Sequence, residues 1–150
     1  MADQDHRITA QMQEVFAQVT QTCETQFGFR FLTILKILPD PVNVLRVHSS
    51  SPDDYQIGAL KPMGGTPWGK LVIDGGQTWL GNGADEVLWA FPDAQLILSK
   101  GCKACACAPV ISEGKTVGVL SLNASLDAYT AEDLHEMSRI AQHLIPALRH

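Results

Sequence analysis

Ala104-Cys105-Ala106-Cys107-Ala108-Pro109-Val110-Ile111, then Ser112-Glu113-Gly114, then Lys115-Thr116-Val117-Gly118-Val119-Leu120-Ser121-Leu122-Asn123 is the stretch that decides the fold. Two largely apolar runs flank a short polar turn ending in glycine, which is the pattern of a pair of neighbouring strands. In an extended strand side chains alternate faces, so Cys105 and Cys107 share one face. Beyond the second run, Thr130 with Asp133 three residues on forms a capping box that opens a helix. Leu134, Met137, Ile140, Ala141, Leu144, Ile145 and Leu148 line one face of that helix, and Pro146 should kink or fray its end.

Towards the N-terminus the pattern is mirrored. Arg30 to Leu38 is rich in β-branched and large apolar residues, Pro39-Asp40-Pro41 stops it, and Val42 to His48 is a second extended run. The short connection makes the pair an antiparallel hairpin. Ahead of it, residues 6 to 27 predict a helix. Ile8, Met12, Val15, Phe16, Val19, Cys23 and Phe27 form an apolar stripe opposite Gln11, Gln13, Glu14, Gln18 and Gln21, and Gly28 ends it. Residues 1–5 are expected to be disordered.

The middle, Ser49 to Lys100, is irregular and holds all three tryptophans, Trp68, Trp79 and Trp89. Thr66 as N-cap and Pro67 at the first helical position start a short helix that ends near Gly75-Gly76. Gln77 to Leu80 reads as a brief strand, and Ala84 to Ala90 and Asp93 to Ser99 as helical turns. A stretch this long and this aromatic is too apolar for a solvated linker. The order is helix, hairpin, irregular middle, hairpin, helix. It predicts an α+β fold: an antiparallel sheet with the N- and C-terminal helices packed on one face and the middle roofing a ligand cavity on the other.

Composition bounds the function. With 150 residues and 45% hydrophobic content, one domain spanning 1–150 is expected. The net charge of −5 lacks the electrostatic footprint of a nucleic-acid binder. No polybasic cluster suggests a membrane surface, and no apolar run approaches the roughly 20 residues of a span. The polar, acidic start is no signal peptide. A cytoplasmic domain is therefore expected, with a homodimer formed where the terminal helices of two copies meet.

The order of elements, with Ala108-Pro109-Val110-Ile111, Gly114, Val117-Gly118-Val119-Leu120-Ser121-Leu122-Asn123 and Tyr129-Thr130-Ala131-Glu132-Asp133-Leu134, resembles a GAF domain over nearly the whole chain. Thr66-Pro67-Trp68-Gly69 is similar to the segment flanking that family's pocket. The resemblance implies a sheet with a ligand cavity roofed by the irregular middle, in a freestanding domain, since the fold uses the full length. Its members bind cyclic nucleotides, tetrapyrroles, amino acids, aromatics or haem, as regulatory modules. Fold alone does not choose among these. Freestanding members known as enzymes reduce free methionine sulfoxide with cysteine thiols. This chain departs from their pattern: Trp68 stands where one of those cysteines would lie, and Gln95-Leu96-Ile97-Leu98 holds none.

Two sets of residues are candidates. Cys102, Cys105 and Cys107 are either small buried hydrophobes or a redox cluster, with Cys102 beside Lys103 at a loop–strand junction that could be open. They would be catalytic only in an enzyme of the methionine-sulfoxide-reductase type. A structural zinc wants four ligands and no second Cys or His pair has the spacing, so neither a metal nor a cofactor is expected. Cys23 could join the cluster only if the first helix packs beside that strand. For ligand binding the candidates are Ser50, Tyr55, Trp68, Trp79, Asp85, Trp89, Cys107 and Asn123. Tryptophan and tyrosine offer flat apolar bodies with a polar handle for an aromatic or heterocyclic ligand. The same aromatics also suit a small core beneath a long loop. Asp85 with Glu86 could equally be the acidic first turn of a helix, and Ser50 the start of a loop. Of the histidines, only His48 is considered for the site.

Overall fold

A computed structural model describes residues 8–40, 42–91 and 94–149. The expected disorder of residues 1–5, positions 6 and 7 of the expected N-terminal helix, Pro41 and Asp93 lie outside those residues; Ile8 and Thr9 are not helical, and the helix starts at Ala10. In chain order the elements are α1 (Ala10–Gln26), β1 (Phe31–Ile37), β2 (Val44–Ser49), β3 (Leu60–Lys61) and α2 (Pro67–Gly69), which runs into a π-helical turn (Lys70–Asp74). Then come β4 (Trp79–Asn82), α3 (Ala84–Ala90), α4 (Gln95–Ser99), β5 (Ala104–Ser112), β6 (Lys115–Ala124), α5 (Ala131–Ala141) and α6 (Ile145–Leu148).

The strands form one six-stranded sheet in the order β3-β2-β1-β6-β5-β4, and every pairing is antiparallel. The α+β architecture expected from the sequence is the one found. Both hairpins form, and β6 from the second inserts beside β1 from the first. Thr33 therefore faces Ser121 across the strands, and Phe31 faces Asn123.

Strand alternation sorts each strand between two cores. Ala104, Ala106, Ala108, Val110, Leu120 and Leu122 point to the side covered by α1, α5 and α6, where Phe16, Met137, Leu144 and Leu148 meet them. Cys105, Cys107, Val119, Phe31 and Leu35 point to the other side, against Trp68, Val72, Val87, Phe91 and Ile97. The terminal helices thus share one face, as their apolar stripes require. Gly118 lets them close on the sheet: a Cβ there would meet the Leu148 side chain and the Leu35 carbonyl.

Local signals place the ends of the helices. Thr9 caps α1 by accepting from the Met12 amide at 3.1 Å, and Gly28, at φ 72°, ends it with its amide on the Cys23 carbonyl. The Thr130–Asp133 capping box opens α5. The final helix breaks into a 3-10 turn at Gln142–Leu144 ahead of α6, whose first turn holds Pro146. Proline has no N–H to return to the Gln142 carbonyl, so the break falls before it. In the middle segment the brief strand lies at Trp79–Asn82 rather than Gln77–Leu80, because its register is set by pairing with Cys107 to Ala104. The two-residue β3 carried no local signal in the sequence.

Candidate functional site

The roofed face of the sheet holds a group of buried polar side chains. Thr33 on β1, Arg46 on β2, and Ser121 and Asn123 on β6 are buried there. With Phe31, Leu35, Tyr55, Lys61, Phe91 and Ile97 they line an inner cavity of about 20 Å³. That is room for one water-sized molecule. Phe31 stacks on Tyr55 with ring centroids 4.1 Å apart, and the Arg46 guanidinium sits over the Tyr55 ring. The Lys61 ammonium lies 5.0 Å from the centroid of Phe91. Asn123 Oδ1 is a buried acceptor without a partner among the described residues.

Beside this cavity lie the thiols. Cys105 Sγ and Cys107 Sγ are 3.7 Å apart, and Cys107 Sγ is 3.3 Å from Ser121 Oγ. Burial would raise the Cys107 thiol, but hydrogen bonding from Cys105 and Ser121 and the charge of Lys61 act against it and hold it below the ordinary thiol range. Cys105 goes the other way, raised by its hydrogen bond to Cys107 and by burial. The two thiols are thus shifted in opposite directions, with Cys107 the more acidic of the pair. Cys102 does not sit at an open junction: it is fully buried, and that burial raises its thiol despite Arg30 and Lys100 nearby. Cys23 lies in the helix-side core, on the opposite face from the pair, with its thiol pushed up to about 12 by burial.

A larger space opens at the end of the sheet where both hairpins turn. A groove of about 610 Å³ runs between Ile37, Leu38, Asp40 and Asn43 on one side, Gly64-Gly65, the end of the π-helical turn at Ile73 to Gly76, and Ile111 with Gly114, Lys115 and Thr116. Ile37, Val44, Ile73 and Ile111 give it an apolar lining; Asp40, Asn43, Asp74, Lys115 and Thr116 supply polar groups. Five glycines (64, 65, 75, 76 and 114) border it and contribute no side chain to fill it. Asp40 is held below the usual carboxylate range by the Val42 amide and the Asn43 side chain, which it organises into a tight turn. π-helical turns are rare, and many stand at functional sites.

A family model for the GAF domain matches residues 9–149. The chain belongs to the GAF domain family. Solved structures agree on the fold. The GAF domain of a two-component sensor histidine kinase from Bacillus halodurans is similar with a TM-score of 0.75 at 17% identity, over 95% of each chain. A GAF domain/HD domain protein from Geobacter sulfurreducens has a TM-score of 0.75 at 10% identity over 93% of each chain. The red light-absorbing state of NpR6012g4, a red/green cyanobacteriochrome, has 0.71 at 16% identity, over 92% of this chain and 94% of that one. No curated protein matches the chain. The fold is thus one found in sensor kinases and photoreceptors. At these identities the likeness extends to the fold and no further.

Within this GAF domain, Tyr55 and Asn123 line the inner cavity, and Cys107 reaches its edge through Ser121. Trp68 is wholly buried among Val72, Phe91 and Cys107 as core. Trp79 is half-buried and bridges Phe91 to Trp89, a residue 47% exposed. Ser50 closes the sheet, its Oγ accepting from the Leu32 amide at 2.7 Å. Asp85 and Glu86 form the acidic first turn of α3, and Glu86 accepts from the Asn82 amide. His48 turns away to α1, 3.1 Å from Thr20, because a bulge in the β1–β2 ladder shifts its register. Sequence reasoning missed Thr33, Arg46, Lys61 and Ser121. Thr33 and Ser121 were readable as polar residues on the cysteine face by alternation; Arg46 and Lys61 depended on that bulge and on β3. None of the groove's residues was among the candidate site residues.

Proposed function

We propose that this GAF domain is a sensory or regulatory module that binds a small organic molecule, aromatic or heterocyclic in kind, in the groove at the hairpin end of the sheet. The observation that carries this reading is the groove's volume of about 610 Å³ with an apolar lining and a few convergent polar groups. Pockets for small organic ligands run to about 300–1,000 Å³ with that same balance. The inner cavity, near 20 Å³, has no space for such a ligand without outward movement of Tyr55 and Phe91. The alternative, a thiol-dependent enzyme of the methionine-sulfoxide-reductase type, would need a substrate the size of an amino acid to reach Cys102, Cys105 and Cys107, all at 0% exposure. The homodimer through the terminal helices belongs to the same proposal, since α1 and α5 leave their polar outer faces uncovered. No described helix is long and apolar enough to cross a membrane.

The test is a thermal-shift and native mass-spectrometry screen of small aromatic and heterocyclic compounds against the protein. Hits should vanish in Ile73→Trp, which fills the groove, and survive in Asn123→Leu, which alters the inner cavity. Loss in Asn123→Leu alone would move the site to the sheet face. A screen without any hit would count against a binding role.

A further inference from the structure

The binding proposal leaves unused a reactive pair on the roofed face of the sheet. Cys105 and Cys107 stand two residues apart on β5 with their sulfurs 3.7 Å apart. Ser121, 3.3 Å from Cys107 Sγ, is also a wall of the inner cavity, together with Asn123, Lys61 and Arg46. At about 20 Å³ that cavity fits a molecule near the size of water. Its lining offers one unpartnered acceptor, Asn123 Oδ1, and cationic donors. A molecule that both donates and accepts, and is no larger than a few atoms, matches it; hydrogen peroxide has both properties.

We propose that Cys105 and Cys107 form a redox site for hydrogen peroxide, with Cys107 as the attacking sulfur and Cys105 as the resolving one. In the first step the Cys107 thiolate attacks one peroxide oxygen. The S–O bond forms, the O–O bond breaks, and the second oxygen leaves as water after taking up a proton. Sulfur loses two electrons and peroxide gains them, which leaves a sulfenic acid on Cys107. In the second step the Cys105 sulfur attacks Cys107. The S–S bond forms, the S–O bond breaks, and the oxygen departs as water with the Cys105 proton. Two thiols and one peroxide thus become one disulfide and two waters. A thiol reductant returns the pair by exchange.

The geometry suits a reversible bond. Two strand residues at a rise of about 3.3 Å place their Cα atoms roughly 6.6 Å apart. That is near the upper limit of about 6.8 Å for a disulfide, and the Cβ atoms, at a similar spacing on one strand face, must close to about 4.5 Å, so β5 has to pucker when the bridge forms. A bridge at that limit is strained, and strained bridges are the labile ones. The neighbours favour Cys107 as the nucleophile, because the Ser121 hydroxyl lies 3.3 Å from its sulfur and can donate to the thiolate.

The protein supplies its own controls, since Cys23 and Cys102 are as buried as the pair but do not share its arrangement. Trypsin cuts after Lys103 and Lys115, which releases both sulfurs in one peptide, 104–115, without Cys102. Native protein treated with stoichiometric hydrogen peroxide, then denatured, alkylated and digested, should yield that peptide two hydrogens lighter and unalkylated. Cys23 and Cys102 should remain alkylatable, and dithiothreitol should restore the peptide. Cys105→Ser should halt at a sulfenic acid on Cys107, trapped by a cyclic 1,3-dione. Lys61→Met should slow the oxidation, with Lys61→Arg restoring it. Oxidation of the peptide only after unfolding, or of Cys23 and Cys102 at the same rate, would overturn the site. A sulfenic acid trapped on Cys105 in Cys107→Ser, with none on Cys107 in Cys105→Ser, would overturn the assignment of the nucleophile. None of these outcomes depends on whether the groove binds a ligand.

Discussion

The two faces of the sheet are made of the same strands, yet they are built to different rules. On the helix side β5 presents Ala104, Ala106, Ala108 and Val110, and β6 presents Leu120 and Leu122. Long helices with continuous apolar stripes cover them. On the other side the intervening residues are Cys105, Cys107, Ser121 and Asn123, and the cover is α2, α3, α4 and a π-helical turn, none longer than seven residues. The first face is closely packed and carries stability. The second keeps buried polar groups that oppose folding unless they are partnered, and retains cavities. Chemistry and reserve volume are kept together, away from the face that holds the fold.

Leu120→Ala is the substitution expected to weaken the protein most. Leu120 is fully buried on the helix side, and removing its side chain should cost roughly 2–5 kcal/mol in denaturant unfolding. A loss below 1 kcal/mol would break the contrast between the faces. Asn123→Leu tests the other face with the opposite sign. It removes a buried acceptor that has no partner among the described residues, whose desolvation costs about 1–3 kcal/mol. The variant should therefore unfold at higher denaturant, by about 1 kcal/mol or more, and a destabilised variant would show that Asn123 is structural. Thr130→Ala removes the capping box of α5 and should cost about 1 kcal/mol.

A smaller effect separates the faces by pH. His48 is buried against Thr20 and Phe16 on the helix side, and burial holds its ring below the ordinary 6.5. The unfolded chain then binds the proton more readily than the folded one, so stability falls as pH drops below about 6.5 and levels off beneath the lowered folded value. Denaturant midpoints at neutral and mildly acidic pH should differ in the wild type, and His48→Gln should reduce that difference. Trp89→Ser should change stability least, within about 0.5 kcal/mol, because the ring is half in solvent; a larger loss would mean that Trp79 depends on it.

Much of this was readable from single segments. The hairpins, the helix caps at Thr66 and Thr130, the stop at Gly28 and the shared face of Cys105 and Cys107 follow from backbone periodicity and side-chain-to-backbone bonds over a few residues. The cavity's walls were only partly readable. Alternation put Asn123 and Cys107 on one face. Tryptophan, by contrast, has the same composition signal whether it lines a pocket or fills a core, and Trp68 fills a core.

What the sequence alone determined is therefore the list of elements, their ends and the facing of their side chains, because those depend on neighbours along the chain. The tertiary structure decided that β6 lies beside β1, that a bulge turns His48 towards α1 while Arg46 stays on the roofed face, and that Lys61 approaches the thiols. It also decided the groove. Its walls come from four separated segments, and a cavity is the small remainder after large volumes have packed against one another. No local pattern of residues encodes that difference.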